Sequence, residues 1–222
     1  MHDEHVKWNV KLRLGEKPNN FTDLPNCPVC HEQNAIENDP WHFLSCKVLI
    51  SNEGRARHNS IGHSIVKYSR MAGVEVQFEP THLDQATKLR PDLLLYTHPK
   101  MTVSDIVVSN PAAPSHCAAA SNVSLRTANK AANKKQKKYK NITKNLQADF
   151  KACACEVFGG MHKQAKQLVK RIAHATEMNG SLYTVREIRN ELMDEIAVGL
   201  ARGNAHMITA GETYRKKAMC HV

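Results

Sequence analysis

The chain has 222 residues, 41% of them hydrophobic, with 31 Lys and Arg against 21 Asp and Glu and a net charge of +10. That is enough chain for one compact domain with a small appendage, and no stretch approaches the roughly 20 apolar residues of a membrane span. Seven unevenly spaced Cys argue against a secreted disulfide scaffold, and the basic excess points to a polyanionic partner, nucleic acid before membrane.

Residues 1–24 show no clear period and read as an upstream remnant. Residues 25–50 hold three of the Cys and are too short for a core of their own. From residue 51 the pattern is globular. Ser51 or Asn52 can cap a helix that reaches Gly73, with Ile61, Ile65, Tyr68 and Ala72 as its apolar stripe and His58 on the same face. Val74, Val76 and Phe78 alternate with charged and polar residues, which predicts a strand. Two further strands open on Asp92 and Asp105, each followed by an apolar run. If Thr97-His98-Pro99-Lys100 is the turn between them, cross-strand partners sum to 197, which sets Asp92 opposite Asp105.

Residues 109–121, rich in Ala with Pro111 and Pro114, read as a loop or flexible insertion. A helix is predicted over 125–146 with the stripe Leu125, Ala128, Ala132, Lys135, Tyr139, Ile142 and Leu146. A strand follows over 150–158, ended by Gly159-Gly160. One amphipathic helix then carries Met161 to Ala175. A last helix starts at the Thr184/Glu187 capping box and can end at Gly203, leaving 206–222 as a tail. The order helix, three strands, helix, strand, two helices predicts an α/β or α+β fold with helices covering a sheet.

Two constellations carry chemistry. Cys27, Cys30, His42 and Cys46 have the spacing C-x2-C-x11-H-x3-C. Three thiolates and one imidazole complete a tetrahedral Zn2+ shell with no open position, so this reads as a structural site standing in for a missing core. The second is Asp92 and Asp105 with Lys135 and Tyr139. Two opposed carboxylates repel unless a cation lies between them. Mg2+ or Mn2+ held there could polarise a phosphodiester and activate water, with a lysine offsetting the charge that grows on phosphorus. Lys135 is the one charged residue on its stripe; it either seeks an acidic neighbour or snorkels to the helix edge. His58 is either a water- or phosphate-contacting group or a hydrogen-bonded histidine beside the core, and Glu79 a further ligand or a strand-end residue. Cys153 and Cys155 read as small core residues. Arg126, Lys130, Lys134, Lys137, Lys138 and Lys140 form the basic run expected to bind nucleic acid.

In order and spacing, these residues resemble a known family. The zinc pattern, Arg57-His58-Asn59, Glu79-Pro80, Arg90-Pro91-Asp92, Asp105-Ile106-Val107-Val108 and Lys135-Gln136-Lys137-Lys138-Tyr139 are similar to the C-terminal part of site-specific non-LTR retrotransposon proteins. Val157-Phe158-Gly159-Gly160 and the run from Ile196 to Ala205 extend the likeness, which covers about residues 25–210. The resemblance implies a zinc knuckle over 25–50 and, over 51–205, a restriction-like PD-(D/E)XK endonuclease with an αβββαβ core that nicks DNA. It implies Asp92 and Asp105 as Mg2+ or Mn2+ ligands and Lys135 as the catalytic lysine, with Tyr139 and His58 in support. The lysine comes from the helix, because the position two after the second acid is Val107. DNA, a formerly or separately encoded reverse transcriptase and a nuclear location follow as expectations. The rival expectation is a non-catalytic DNA- or RNA-binding module or a decayed fragment of such a protein.

Overall fold

The aspartate-led strands lie at the centre of a four-stranded mixed sheet in the computed structural model, which describes residues 3–16, 26–84 and 88–219. In chain order the elements are α1 (Asp3–Arg13), α2 (Ala35–Asn38), a 3-10 turn at His42–Leu44, α3 (Lys47–Leu49), a π-helical turn at Ile50–Gly54 and α4 (Arg55–Met71). Then come β1 (Val76–Phe78), β2 (Leu93–Leu95), β3 (Thr102–Ser109), α5 (Pro114–Ala120), α6 (Arg126–Lys138), α7 (Lys140–Asn145), β4 (Asp149–Glu156), α8 (Lys163–Asn179) and α9 (Val185–Met219).

The strands lie in the order β1-β2-β3-β4. β1, β2 and β3 form an antiparallel meander, and β4 returns parallel to β3 after the helical crossover. Leu93 pairs with Ser104, Leu94 with Val103 and Leu95 with Thr102, the register in which partners sum to 197. Thr97 Oγ1 closes the turn by donating to the Lys100 carbonyl at 2.7 Å.

The two faces of the sheet bury different sets. Leu93, Leu95, Ile106, Cys153 and Cys155 meet the apolar stripes of α4, α8 and α9, including Ile61, Ile65, Leu168, Ile172, Leu192 and Ile196. On the other face, Ala152 and Ala154 meet Ala128 and Ala132 of α6, and Leu94 and Val103 meet Tyr139 and Ile142. Alanines on both sides of that contact let α6 lie close to β3 and β4. A third cluster joins Trp8 and Leu12 of α1 to Val29, Ile36, Phe43, Leu44 and Leu49 and to Ala205, Met207 and Ile208 of α9.

Several boundaries depart from the sequence expectations. The predicted helix 125–146 is two helices, because Tyr139 leaves helical geometry (φ −98°, ψ 11°) and buries its ring. Within 109–121, α5 forms where Pro114 occupies the first turn ahead of three alanines, although it buries no residue. The last strand stops at Glu156. The N-terminal stretch includes α1, whose buried face rests on Trp8 and Leu12 alone, too sparse a stripe to show a period; residues 17–25 lie outside those described.

The largest departure is α9, which passes through Gly203 and continues to Met219. A Cβ on Gly203 would collide with Arg57 Cβ, and one on Gly211 would lie 2.6 Å from the Phe43 ring. Both glycines are places where another element presses on the helix, not helix stops. Gly203→Ala is therefore expected to cost about 1–3 kcal/mol through overpacking. A urea denaturation midpoint equal to the wild type's would show that Arg57 does not pack there.

Candidate functional site

Cys27 and Cys30 stand on a tight turn, His42 opens the short 3-10 turn, and Cys46 stands just before α3. The ligand atoms of these four residues all lie within 4.8 Å of one another. Cys30 Sγ is 3.2 Å from His42 Nε2, near the roughly 3.5 Å edge of a tetrahedron with Zn–S of about 2.3 Å and Zn–N of about 2.0 Å. The backbone N–H groups of Val29 and Cys30 point at Cys27 Sγ, at 3.4 and 3.5 Å. Such donors stabilise a thiolate. The contact between the Cys27 and Cys46 thiols, and then burial, push Cys27 up; the same contact, helped by His42, holds Cys46 well below the usual thiol range against the opposing effect of burial. The group can therefore hold a metal ion, and three sulfurs with one imidazole suit Zn2+. His31, the neighbouring histidine, is exposed and outside this group.

The lobe built on these ligands is not a separate bead. Trp41 packs edge-on against Phe158, with ring centroids 5.8 Å apart. Ser45 Oγ accepts from Asn110 Nδ2 at 2.7 Å, just beyond the end of β3. From Cys46 the chain passes through α3 and the π-helical turn directly into α4.

The acid pair sits where β2 begins and β3 runs on. The 93↔104 register places Asp92 across from Asp105. Asp92 Oδ2 accepts from the Ile106 N–H at 2.5 Å and meets His58 Nε2 of α4 at 3.0 Å. Asp105 is 2% exposed, and Lys135 Nζ of α6 lies 2.5 Å from its Oδ2. That oxygen is buried, and the Lys135 ammonium is its close ionic partner. Burial first, and then the Asp92 carboxylate, raise the Asp105 pKa above the usual range, against the opposing pull of Lys135 and Tyr139. A buried carboxylate facing a second one is costly to a fold.

Tyr139 is fully buried, stacks on Phe150 and donates its hydroxyl to the Arg90 carbonyl at 2.9 Å. It thereby ties the end of α6 to the segment that enters Asp92. Its own pKa is raised by burial and by Asp105. Glu79 is not among the contacts of either aspartate side chain. Its carboxylate lies 3.2 Å from Arg90 Nη2, while its N–H donates to the Asp92 carbonyl.

For His58, burial pulls the imidazole pKa down, but the hydrogen bond to Asp92 and its charge outweigh this, and the net direction is up from 6.5. A base whose folded pKa is raised contributes stability that is fully present below its unfolded pKa and is lost as pH rises through the folded value. The His58–Asp92 pair should thus stabilise the metal-free protein below about pH 6.5 and fade above it. In Asp92→Asn, where only the Asn59 hydrogen bond and the Asp105 charge still oppose burial, the His58 pKa followed by NMR is expected to fall from its wild-type value. A value unchanged from the wild type would show that the two groups do not interact.

Beside the acid pair lies a cleft of about 530 Å3 lined by residues that include Arg55, His58, Asn59, Glu79, Arg90 and Val107. It exists because β2 is short. β3 runs on past Ser104, its last partner in β2, so the segment 105–109 has no strand on that side. Arg57 enters the same cleft but is 5% exposed, and its guanidinium donates to Asn204 Oδ1 at 2.6 Å. Sequence reasoning did not single out Arg55 or Arg90 as part of this setting. The signal for Arg55 was its place three residues before His58, on the same helical face.

Sequence reasoning also missed Glu156. Leu125, in left-handed geometry, gives α6 no side-chain cap. Buried Glu156, at the end of β4, accepts from Thr127 Oγ1 at 2.6 Å and from the Ala128 N–H at 3.3 Å. It replaces the missing cap and fixes the start of the helix that carries Lys135. An acid directly after the small apolar run 152–155 was the available signal.

Of the basic residues, Arg126, Lys130, Lys134 and Lys137 line one furrow of about 540 Å3 on the outer face of α6. Lys138 turns away from it, donating to Tyr139 Oη at 3.0 Å, and Lys140 begins α7. Among the described residues no helix is long and apolar enough to cross a membrane. A comparison with protein families finds no match, and a comparison with curated proteins finds none.

Proposed function

We propose that this chain is a metal-dependent DNA-nicking module with a restriction-like PD-(D/E)XK core, of the kind found in the C-terminal part of non-LTR retrotransposon proteins. One observation carries the reading: a buried aspartate paired with Lys135 lies opposite a second aspartate paired with His58. The succession α4, β1-β2-β3 antiparallel, α6 and a parallel β4 supports an αβββαβ core.

Asp92 and Asp105 would hold Mg2+ or Mn2+; carboxylate oxygens suit such hard cations. The bound ion would polarise the phosphate and acidify a water. Lys135 balances the Asp105 charge in the free protein and is placed to offset charge on the phosphate during attack. His58 orients Asp92 and can hold a water at its edge, and Tyr139 fixes the approach of the Asp92 strand. Arg55 and Arg90 lie where phosphates flanking the cut would pass. The zinc lobe braces the α4 side of the cleft. A reverse transcriptase partner and a nuclear location belong to the same reading.

The rival is a non-catalytic nucleic-acid module. It is favoured by one fact: among the described residues, only the Cys27 group brings three or more metal-ligating side chains together. Mn2+ uptake by zinc-loaded protein on a DNA duplex, followed by electron paramagnetic resonance, separates the two. The nicking module takes up Mn2+ in a site that Asp105→Ala lacks. Equal uptake by both proteins, or none, would leave the binding module as the better account.

A further inference from the structure

The outer face of α6 carries more than positive charge. The helix has 13 residues and no acid. Arg126, Lys130, Lys134 and Lys137 form no ion pair among the described residues, and all four are exposed. Asn129 and Asn133 line the same furrow, together with Val123. At about 100° per residue, the two asparagines lie on one shoulder, about 40° apart, and the basic residues lie on the crest and the other shoulder. The buried side of α6 holds Ala128, Ala132 and Lys135, so this face points directly away from the sheet. Gln136, bonded to Gln164 of α8 at 3.1 Å, marks where the free face ends.

Asparagine inside a helix is unfavourable, because its amide competes for backbone hydrogen bonds. Solubility would be met by Lys, Gln or Glu at no such cost. Neither the Asn129 nor the Asn133 side chain makes a hydrogen bond among the described residues, so both side-chain amides are free and exposed. An exposed amide offers one donor and one acceptor side by side, the pattern that matches adenine N7 and N6 in the major groove. A bare helix about 20 Å long fits the roughly 12 Å major groove of B-DNA. It does not fit the deep, narrow major groove of A-form RNA.

We infer that α6 is a base-reading helix for double-stranded DNA. Asn129 and Asn133 read adenines, and Arg126, Lys130, Lys134 and Lys137 grip the phosphates of the flanking strand. This deepens the proposed function and rests on its DNA-binding part. The helix, about 10 Å across, separates this face from Asp105, so the bases read lie away from the bond that is cut.

The test selects binders from a randomised duplex library with zinc-loaded protein, without Mg2+ or Mn2+. Affinities are then measured for the best site and for a scrambled one. The wild type is expected to prefer sites with fixed A·T pairs, and Asn129→Ala or Asn133→Ala to cut that preference roughly tenfold or more. Lys130→Ala with Lys134→Ala should instead weaken all duplexes alike and reduce the salt slope by about two. Circular dichroism checks that these surface variants stay folded. A wild type without sequence preference, a preference untouched in both asparagine variants, or tighter binding of RNA than of duplex DNA would overturn the inference. Nicking in Mg2+ without base preference would do so while leaving the endonuclease standing, and preference without nicking would do the reverse.

Discussion

Asp105→Ala is expected to abolish nicking, by about 1000-fold or more, while DNA affinity stays within a few-fold of the wild type. Loss of a metal-holding carboxylate removes several kcal/mol of transition-state stabilisation, and each 1.36 kcal/mol is tenfold in rate. Stability should move the other way or not at all. Asp105 is buried and faces Asp92, and burial and that second charge both oppose its ionised form. Its removal relieves both repulsion and desolvation, and it leaves Lys135, at 25% exposure, free to reach solvent. A residue that costs the fold and serves the reaction should show this opposition. Melting temperature and nicking rate measured on the same preparation decide it. A variant that loses stability and DNA affinity along with nicking would make Asp105 a structural residue.

Removing the zinc, by chelation or by Cys46→Ser, is expected to cost more than about 3 kcal/mol and to reach well beyond the four ligands. Leu44, Leu49 and Phe43 share one cluster with Trp8, Met207 and Ile208, so the lobe is part of the seat of α1 and of the far half of α9. Both tryptophans of the chain belong to this cluster, Trp8 buried within it and Trp41 packed against it. Tryptophan fluorescence should therefore shift to the red on chelation and recover with Zn2+. Nicking should fall as well, because the lobe leads into the turn and the first residues of α4 that line the cleft. Fluorescence and melting temperature unchanged by a chelator that demonstrably strips the metal would show that the apolar contacts suffice without it.

The hairpin register and the zinc spacing were readable because each depends on local arithmetic. Period two and a four-residue turn set Asp92 against Asp105, and one knuckle with one return pair defines four ligands. Lys135 was readable because a lone charge on an apolar stripe needs a partner, and the structure supplies Asp105. Residues whose role depends on distant packing were not readable in that way. Gly203 reads as a helix stop from sequence, yet Arg57, far away in the chain, presses on it and the helix continues. Tyr139 fits the stripe of a continuous helix, and only the sheet beneath it shows why the helix breaks there. Glu156 caps a helix that begins 30 residues before it, a relation created by the parallel pairing of β3 and β4. The cleft itself arises from a mismatch in strand length that no local pattern encodes.

The most direct test is conversion of supercoiled plasmid to open circles by the zinc-loaded wild type in Mg2+ or Mn2+, with DNA binding measured in the same buffer. The account predicts open circles that require the divalent ion and do not form when Ca2+ replaces it. Plasmid bound but left supercoiled in both Mg2+ and Mn2+ would contradict it.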